Sequence, residues 1–230
     1  MNNSRNLCEG IKKLIASHLQ EILSLRQTGE LKVDNTFVSK GDLLCQSLIE
    51  DYIFSVLPNS YIISEEADND TSCLDKYRYV VTIDPIDGTE NFVSGLKEWG
   101  IGISIYKNMN HCYSMILLPE LGESLSSGDH ISKIAASRIC GLSSYMTPAD
   151  FNLLEKGFEY RIMGCCMYNM FNVIKGSYRQ FQHLKGCYSW DVLPGLNLAL
   201  ENGLSVEVDG KPYQGQFLYP SIKYRFVVRH

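Results

Sequence analysis

Two aspartates three residues apart, Asp84 and Asp87, close a β-rich apolar run in the segment VVTIDPIDGTENFVSG (80–95). A buried strand that ends in carboxylates needs counter-charge. Oxygen donors gathered this way suit a hard cation such as Mg²⁺, which keeps several waters and completes its shell from carboxylates and substrate phosphate. Pro85 stiffens the backbone after Asp84, and Gly88 permits close backbone approach before an expected helix whose N-terminal amides can receive a phosphate. An isolated DxxD is more often a polar turn with a capping aspartate, so the reading depends on what converges with it. Glu65 and Glu66 follow an earlier strand-like run, YIIS (61–64). Alone they make an ordinary solvated loop, but parallel or neighbouring strands would bring both acidic sets to one sheet edge. Asp191 follows Trp190 at the start of the helix-like stretch DVLPGLNLAL, where the default role is an N-cap or first-turn acid.

The elements that must position these groups are legible from periodicity. Leu7, Ile11, Leu14, Ile15, Leu19, Ile22 and Leu23 recur at three-to-four spacing and predict an amphipathic helix over 7–26. A second helix is expected over 42–57, stopped by Pro58. Short β-rich runs at 61–64, 79–83, 101–106 and 113–118 read as a sheet backed by these two helices. Strands are expected near 132–136, 160–163, 178–182, 205–208 and 225–229, with helices from the Thr147-Pro148 cap, over 167–175 and over 191–201. That alternation predicts an α/β layer arrangement. The stretch ESLSSGD (123–129) is the most linker-like. We therefore expect residues 1–125 to form an α+β half carrying Glu65, Asp84 and Asp87, and residues 126–230 an α/β half carrying Asp191, the two making one continuous catalytic unit.

Composition narrows the class without naming a function. At 230 residues, 45% hydrophobic and 20% charged, the chain reads as an ordinary globular enzyme able to bury a large core. The net charge of −5 and scattered Lys and Arg argue against nucleic acid as a partner. No apolar run approaches a bilayer span and the N-terminus lacks a signal-peptide layout, so neither membrane nor secretion is expected. The eight cysteines form no CxxC pair, which suggests reduced thiols in the cytoplasm; a redox pair at Cys165 and Cys166 would meet the strain of a vicinal bridge. The five histidines show no zinc spacing, and His183 alone is expected near a substrate.

The segments ISEE (63–66), DPIDGTENF (84–92) and SWDVLPG (189–195) together resemble the inositol monophosphatase superfamily, whose pattern is a Glu-Glu pair, DPIDGT followed by Asn-Phe, then Trp-Asp opening a late helix. Residues 161–164, Arg-Ile-Met-Gly, are similar to its Arg-Ser-x-Gly strand, and the resemblance spans residues 7–208. It implies the alternating helix and sheet layers of the sugar-phosphatase fold. It also implies a Mg²⁺-dependent phosphatase of a small sugar, polyol or inositol-type phosphomonoester, with two or three Mg²⁺ per site and Mn²⁺ as a substitute. Glu65, Asp84, the Ile86 carbonyl, Asp87 and Asp191 would hold the metals. Glu66 and Thr89 would orient or deprotonate the attacking water, with Asp87 part of the catalytic set. Ile86, Asp87, Gly88, Thr89, Gly164, Cys165, Cys166, His183 and Asp191 would meet the substrate, and Asp42, two after Lys40, would help order a loop at the site. A homodimer is implied as well.

The chain departs from that pattern at Glu90, where relatives carry Thr or Ser, and at Cys165-Cys166, where they carry a small Ser/Thr-Ala pair. Where inositol-phosphate enzymes place a ring-binding glutamate, Gln182, His183, Leu184 and Lys185 stand here. The segment after PELGE (119–123) is short, the final helix is missing from the pattern, and the Glu-Ala-Gly-Gly ending of the late helix is Glu201-Asn202-Gly203-Leu204. Alternatives within the superfamily are a nucleotide 3'-phosphatase, a histidinol-phosphate phosphatase and a fructose-bisphosphatase-like enzyme. From other classes, the rivals are a non-catalytic phosphometabolite-binding protein and a structural subunit whose carboxylates bind a stabilising cation.

Overall fold

The computed structural model of the chain describes residues 2–32, 36–129, 131–134, 137–144 and 146–230. Helix α1 (Asn2–Ser24) buries Leu7, Ile11, Ile15 and Ile22 completely, the apolar stripe its spacing requires. A two-stranded ribbon, β1 (Glu30–Leu31) with β2 (Phe37–Val38), leads to α2 (Lys40–Val56). The Ser39 side chain caps α2 by accepting from the Gly41 and Asp42 amides, and the Asp42 carboxylate accepts in return from the Ser39 amide at 2.8 Å.

The first sheet runs β3 (Ser60–Ser64), β4 (Tyr79–Asp87), β5 (Gly100–Lys107), β6 (Asn110–Leu118) and β7 (Glu123–Ser126) in spatial order, with the short α3 (Thr89–Val93) between β4 and β5. Only β3 and β4 pair in parallel; the others are antiparallel. The second sheet contains β8 (Ile139–Leu142), β9 (Glu159–Ile162), β10 (Gln180–Cys187), β11 (Ser205–Val208), β12 (Lys211–Pro212) and β13 (Tyr224–Arg229), in the order β12-β11-β13-β10-β8-β9. Helices α4 (Cys166–Lys175) and α5 (Ser189–Glu201) lie between the sheets.

Side chains divide the first sheet by alternation. Val81, Ile83, Ile101, Ile103 and Ile105 join α1 and α2 in one core cluster. Val80, Tyr106, Ile116 and Leu118 join Met167, Met170, Val192, Leu193 and Leu196 of α4 and α5, together with Phe181, Val206 and Phe226 of the second sheet. The order is therefore helices, sheet, helices, sheet, the α/β layering expected from the sequence. No helix among the described residues is long and apolar enough to cross a membrane.

Three expectations are corrected. Residues 123–126 of the linker-like stretch form β7, paired with β6 from Leu118↔Glu123 to Met115↔Ser126, because edge pairing tolerates a polar, serine-rich sequence. The strand expected near 132–136 is irregular over 132–134, its last two residues lie outside the described residues, and the strand itself comes later, as β8. The helix expected from Thr147-Pro148 is a single 3₁₀ stretch, Pro148–Leu153, although Thr147 and Asp150 do form the capping pair.

A buried polar knot ties the layers at the far end of α5. Asn197 donates to the Tyr106 hydroxyl at 2.9 Å and accepts from the Tyr213 hydroxyl at 3.0 Å. Replacing Asn197 with Ala removes the shared partner of both hydroxyls, although Tyr213 keeps the Gln216 carbonyl at 2.9 Å, and should lower the unfolding free energy by about 1–3 kcal/mol. Urea denaturation measures it, and a loss under about 0.5 kcal/mol, the ordinary surface-substitution range, would mean the knot carries no weight.

Candidate metal and phosphate site

Parallel pairing sets the first contact of the site. The register Ser64↔Ile83 sets Glu65, the first residue after β3, beside Asp84 within β4. Asp84 shares its strand face with Val80 and Thr82, turned toward α5. In a regular strand Asp87, three residues on, would point the other way. The ladder between β4 and β5 shifts between the pairs Asp84↔Gly102 and Asp87↔Gly100, so one extra residue sits in β4 and Asp87 returns to the side of Asp84. Pro85, with no amide hydrogen to place in the ladder, stands in this bulge.

The third element is α5, whose first turn brings Asp191 to the same place. Ligand oxygens of Glu65, Asp84 and Asp191 all lie within 4.8 Å of one another. Asp84 is fully buried, yet neither carboxylate oxygen has a hydrogen-bond partner. A buried carboxylate without a partner costs several kcal/mol unless it is protonated or meets a cation. The all-oxygen donor set fits a hard divalent cation of the Mg²⁺ class.

The surrounding carboxylates, by contrast, are each held. Asp87 Oδ2 accepts from the Cys165 thiol at 3.0 Å and from the Met167 amide, and the Cys166 and Gly88 amides also stabilise its charge. Asp191 Oδ2 accepts from the Tyr188 amide at 2.7 Å. Lys32 Nζ donates to Glu66 Oε1 at 2.7 Å and reaches Glu65 Oε1 at 3.5 Å. The Thr89 hydroxyl lies 3.0 Å from both Asp42 Oδ1 and the Ile86 carbonyl. Gly88, at φ +80°, makes the turn into α3, and a Cβ there would sit 2.9 Å from that of Cys165. Gly164, also left-handed at φ +71°, lies against Asn91, whose side chain donates to the Met163 carbonyl at 2.6 Å and the Glu98 carbonyl at 2.7 Å.

The electrostatics follow from burial and like charge. Burial, then the Asp191 charge, pushes the Glu65 carboxyl up to about 8. Burial, then the Asp87 charge, pushes Asp191 up to about 7. Asp84 is driven well above the ordinary carboxylate range by burial and by Glu65 and Asp87. Asp87 is also raised by burial, against the pull of its thiol and amide donors.

The structure thus gathers Glu65, Asp84 and Asp191, with Asp87, Ile86, Gly88 and Thr89 on the adjoining bulge and turn, and Cys165, Cys166 and Gly164 against Asp87 and Asn91. His183 lies elsewhere on β10, stacked on Phe226 at 5.8 Å in a depression lined also by Glu207, Asp209 and Arg225. Glu90 is exposed, so its charge points to solvent. All eight cysteines are free thiols, and Cys165 and Cys166 have different partners, Asp87 for one and Cys187 for the other. Lys32 was not singled out from the sequence, because a lone lysine in a polar stretch carries no pattern. Ser39 had a signal in its capping-box spacing to Asp42.

A profile of the Inositol monophosphatase family matches residues 3–130. The chain is 29% identical over 105 residues to the 3'(2'),5'-bisphosphate nucleotidase CysQ of Haemophilus influenzae, covering 45% of this chain and 39% of that protein. It is 24% identical over 215 residues to the 3'-phosphoadenosine 5'-phosphate phosphatase of Mycobacterium tuberculosis, covering 86% of this chain and 80% of that one. The chain therefore spans well under half the length of some curated relatives it matches and most of others. An IMPase/NADP phosphatase crystallised with Mg²⁺ and phosphate superposes with a TM-score of 0.81 at 18% identity, over 98% of this chain and 89% of that one.

Two measurements test the cluster as a cation site. Because the Glu65 and Asp191 values are raised, protons stabilise the cation-free fold; that contribution is complete below the ordinary carboxylate values of 4.5 and 3.8 and is lost as pH rises through about 7 to 8. The melting temperature without cation should therefore fall from pH 5 to pH 8, while calorimetric Mg²⁺ affinity rises over the same span with release of protons to buffer; a flat affinity across that range would sink the idea. Asp84→Asn removes the central charge, so it should raise the melting temperature of the cation-free protein and abolish the increment that Mg²⁺ gives the wild type.

Proposed function

The chain belongs to the inositol monophosphatase family, and from that premise we propose that it is a Mg²⁺-dependent phosphatase of a small phosphorylated metabolite. The observation that carries the reading is the buried, unpartnered carboxylate of Asp84 between Glu65 and Asp191. Glu65, Asp84, Asp87, Asp191 and the Ile86 carbonyl would hold two or three Mg²⁺, with Mn²⁺ able to substitute. Such cations supply Lewis acidity, neutralising phosphate charge and making water a nucleophile near neutral pH.

The chain's own groups orient the reaction. Donation of the Thr89 hydroxyl to Asp42 turns its oxygen lone pairs outward, where they can accept a hydrogen bond from the attacking water. Glu66, pinned by Lys32, is the second group able to hold or take that proton. The Thr89 amide stands at the first helical position, without an intrahelical acceptor, and is free to meet a phosphate oxygen. Asp191, fixed by the Tyr188 amide, would order a water that protonates the leaving oxygen. Gly164, Cys165 and Cys166 form the wall behind Asp87.

A nucleotide 3'-phosphatase is the variant of this reading that the names of the Haemophilus and Mycobacterium relatives favour. The homodimer and the cytoplasmic setting that the resemblance implies belong to the same reading.

Phosphate release from a panel of sugar, inositol, nucleotide and amino-alcohol phosphates should require Mg²⁺ and should drop at least about a hundredfold in Asp84→Asn, more than outer-shell substitutions usually cost. Mg²⁺ binding without release from any compound would favour a phosphometabolite-binding protein instead.

A further inference from the structure

Two cations border the carboxylate cluster, and the structure uses them differently. Lys32 is taken up by Glu66 and Glu65. Lys223, the residue before β13 and close enough to Asp191 to act on its charge, takes part in none of the ion pairs among the described residues. Its ammonium instead sits 4.8 Å from the centroid of the Tyr188 ring. Tyr188 in turn stacks on Trp190 at 4.8 Å with the rings 26° apart, and its amide donates to Asp191. The lysine is thus seated on the residue that fixes a member of the cluster.

The seat is built by backbone. Pairing of Cys187 with Tyr224 brings the start of β13 against the corner of β10. Gly186 makes that corner at φ +85°, and a Cβ there would stand 3.2 Å from the Cβ of Lys223. The register shift in β10 between His183 and Cys187 frees the corner from regular pairing. An exposed lysine on an aromatic ring is common and by itself weakly stabilising, about 0.5–1 kcal/mol. What distinguishes this one is its place, in none of the ion pairs among the described residues, close enough to Asp191 to act on its charge and beside carboxylates whose counter-charge would be a bound cation.

We propose that Lys223, carried on the Tyr188 and Trp190 rings next to Asp191, is a subsite for a second anionic group of the substrate. The preferred substrates are then phosphomonoesters that carry another phosphate or carboxylate on the leaving group, with the aromatic pair facing whatever planar or apolar portion joins the two. This deepens the phosphatase reading and rests on it for the position of the scissile phosphate. It makes Lys223 a specificity-determining residue with no part in the chemical step.

The test compares adenosine 3',5'-bisphosphate with adenosine 3'-monophosphate, which share a base and a scissile ester and differ in one phosphate. Steady-state kinetics with Mg²⁺ are read for wild type, Lys223→Met and Lys223→Arg. In Lys223→Met the KM for the bisphosphate should rise at least tenfold more than that for the monophosphate, with kcat for both moving together, and Lys223→Arg should recover most of the preference. Equal losses on the two substrates, or none on the bisphosphate, would overturn the subsite. Calorimetric binding of both nucleotides in Ca²⁺ repeats the comparison without turnover. If no phosphate is released by the wild type, the phosphatase reading fails, while a binding preference for the bisphosphate that vanishes in Lys223→Met still supports the subsite and its absence still refutes it.

Discussion

The constraint on which the rest of the molecule depends is the mutual repulsion of carboxylates gathered around Asp84. Asp87 is held by a thiol and amides, Asp191 by the Tyr188 amide, Glu66 by Lys32 and Asp42 by Ser39 and Thr89. Asp84 alone has no donor. Charge of one sign is stable in such density only if the chain cannot relax outward, so the scaffold must be rigid before a cation arrives.

That rigidity comes from layering. The first sheet is clamped on one face by α1 and α2 and on the other by α4 and α5, which also close against the second sheet. Asp84 is delivered by a central strand, Asp87 by the end of the same strand, Glu65 by its parallel neighbour and Asp191 by the helix packed above them. The N-terminal turn of α4 meets Asp87 with amides at Cys166 and Met167, so the element that covers the sheet also fixes the carboxylate. The wall around the site and the core beneath it are built from the same helices.

Much of this was legible because the signals are local. Helical spacing in α1, the strand runs before Glu65 and Asp84, and the DPIDGT hexamer all report on nearest neighbours along the chain. The polar strand β7 was not legible, because serine-rich sequence at a sheet edge is indistinguishable from a linker until its partner β6 is known. Lys32 and Lys223 were missed for a related reason: each matters through a residue far away in sequence, Glu66 for the first and Tyr188 for the second. His183 shows the reverse. Its strand is near the site in sequence, but its ring packs on Phe226, a cross-strand pairing that only the β10–β13 register reveals.

The single extra residue in β4 between Asp84 and Asp87 bears on how such a site can change over generations. Which side of the sheet Asp87 faces is a matter of parity. A substitution at Pro85 or Ile86 alters shape while leaving that parity intact, whereas gain or loss of one residue there reverses it and sends the second carboxylate into the apolar layer beneath α1 and α2. Length in this segment is therefore as constrained as the identity of its aspartates, since the count of residues through the bulge decides which layer the second carboxylate enters.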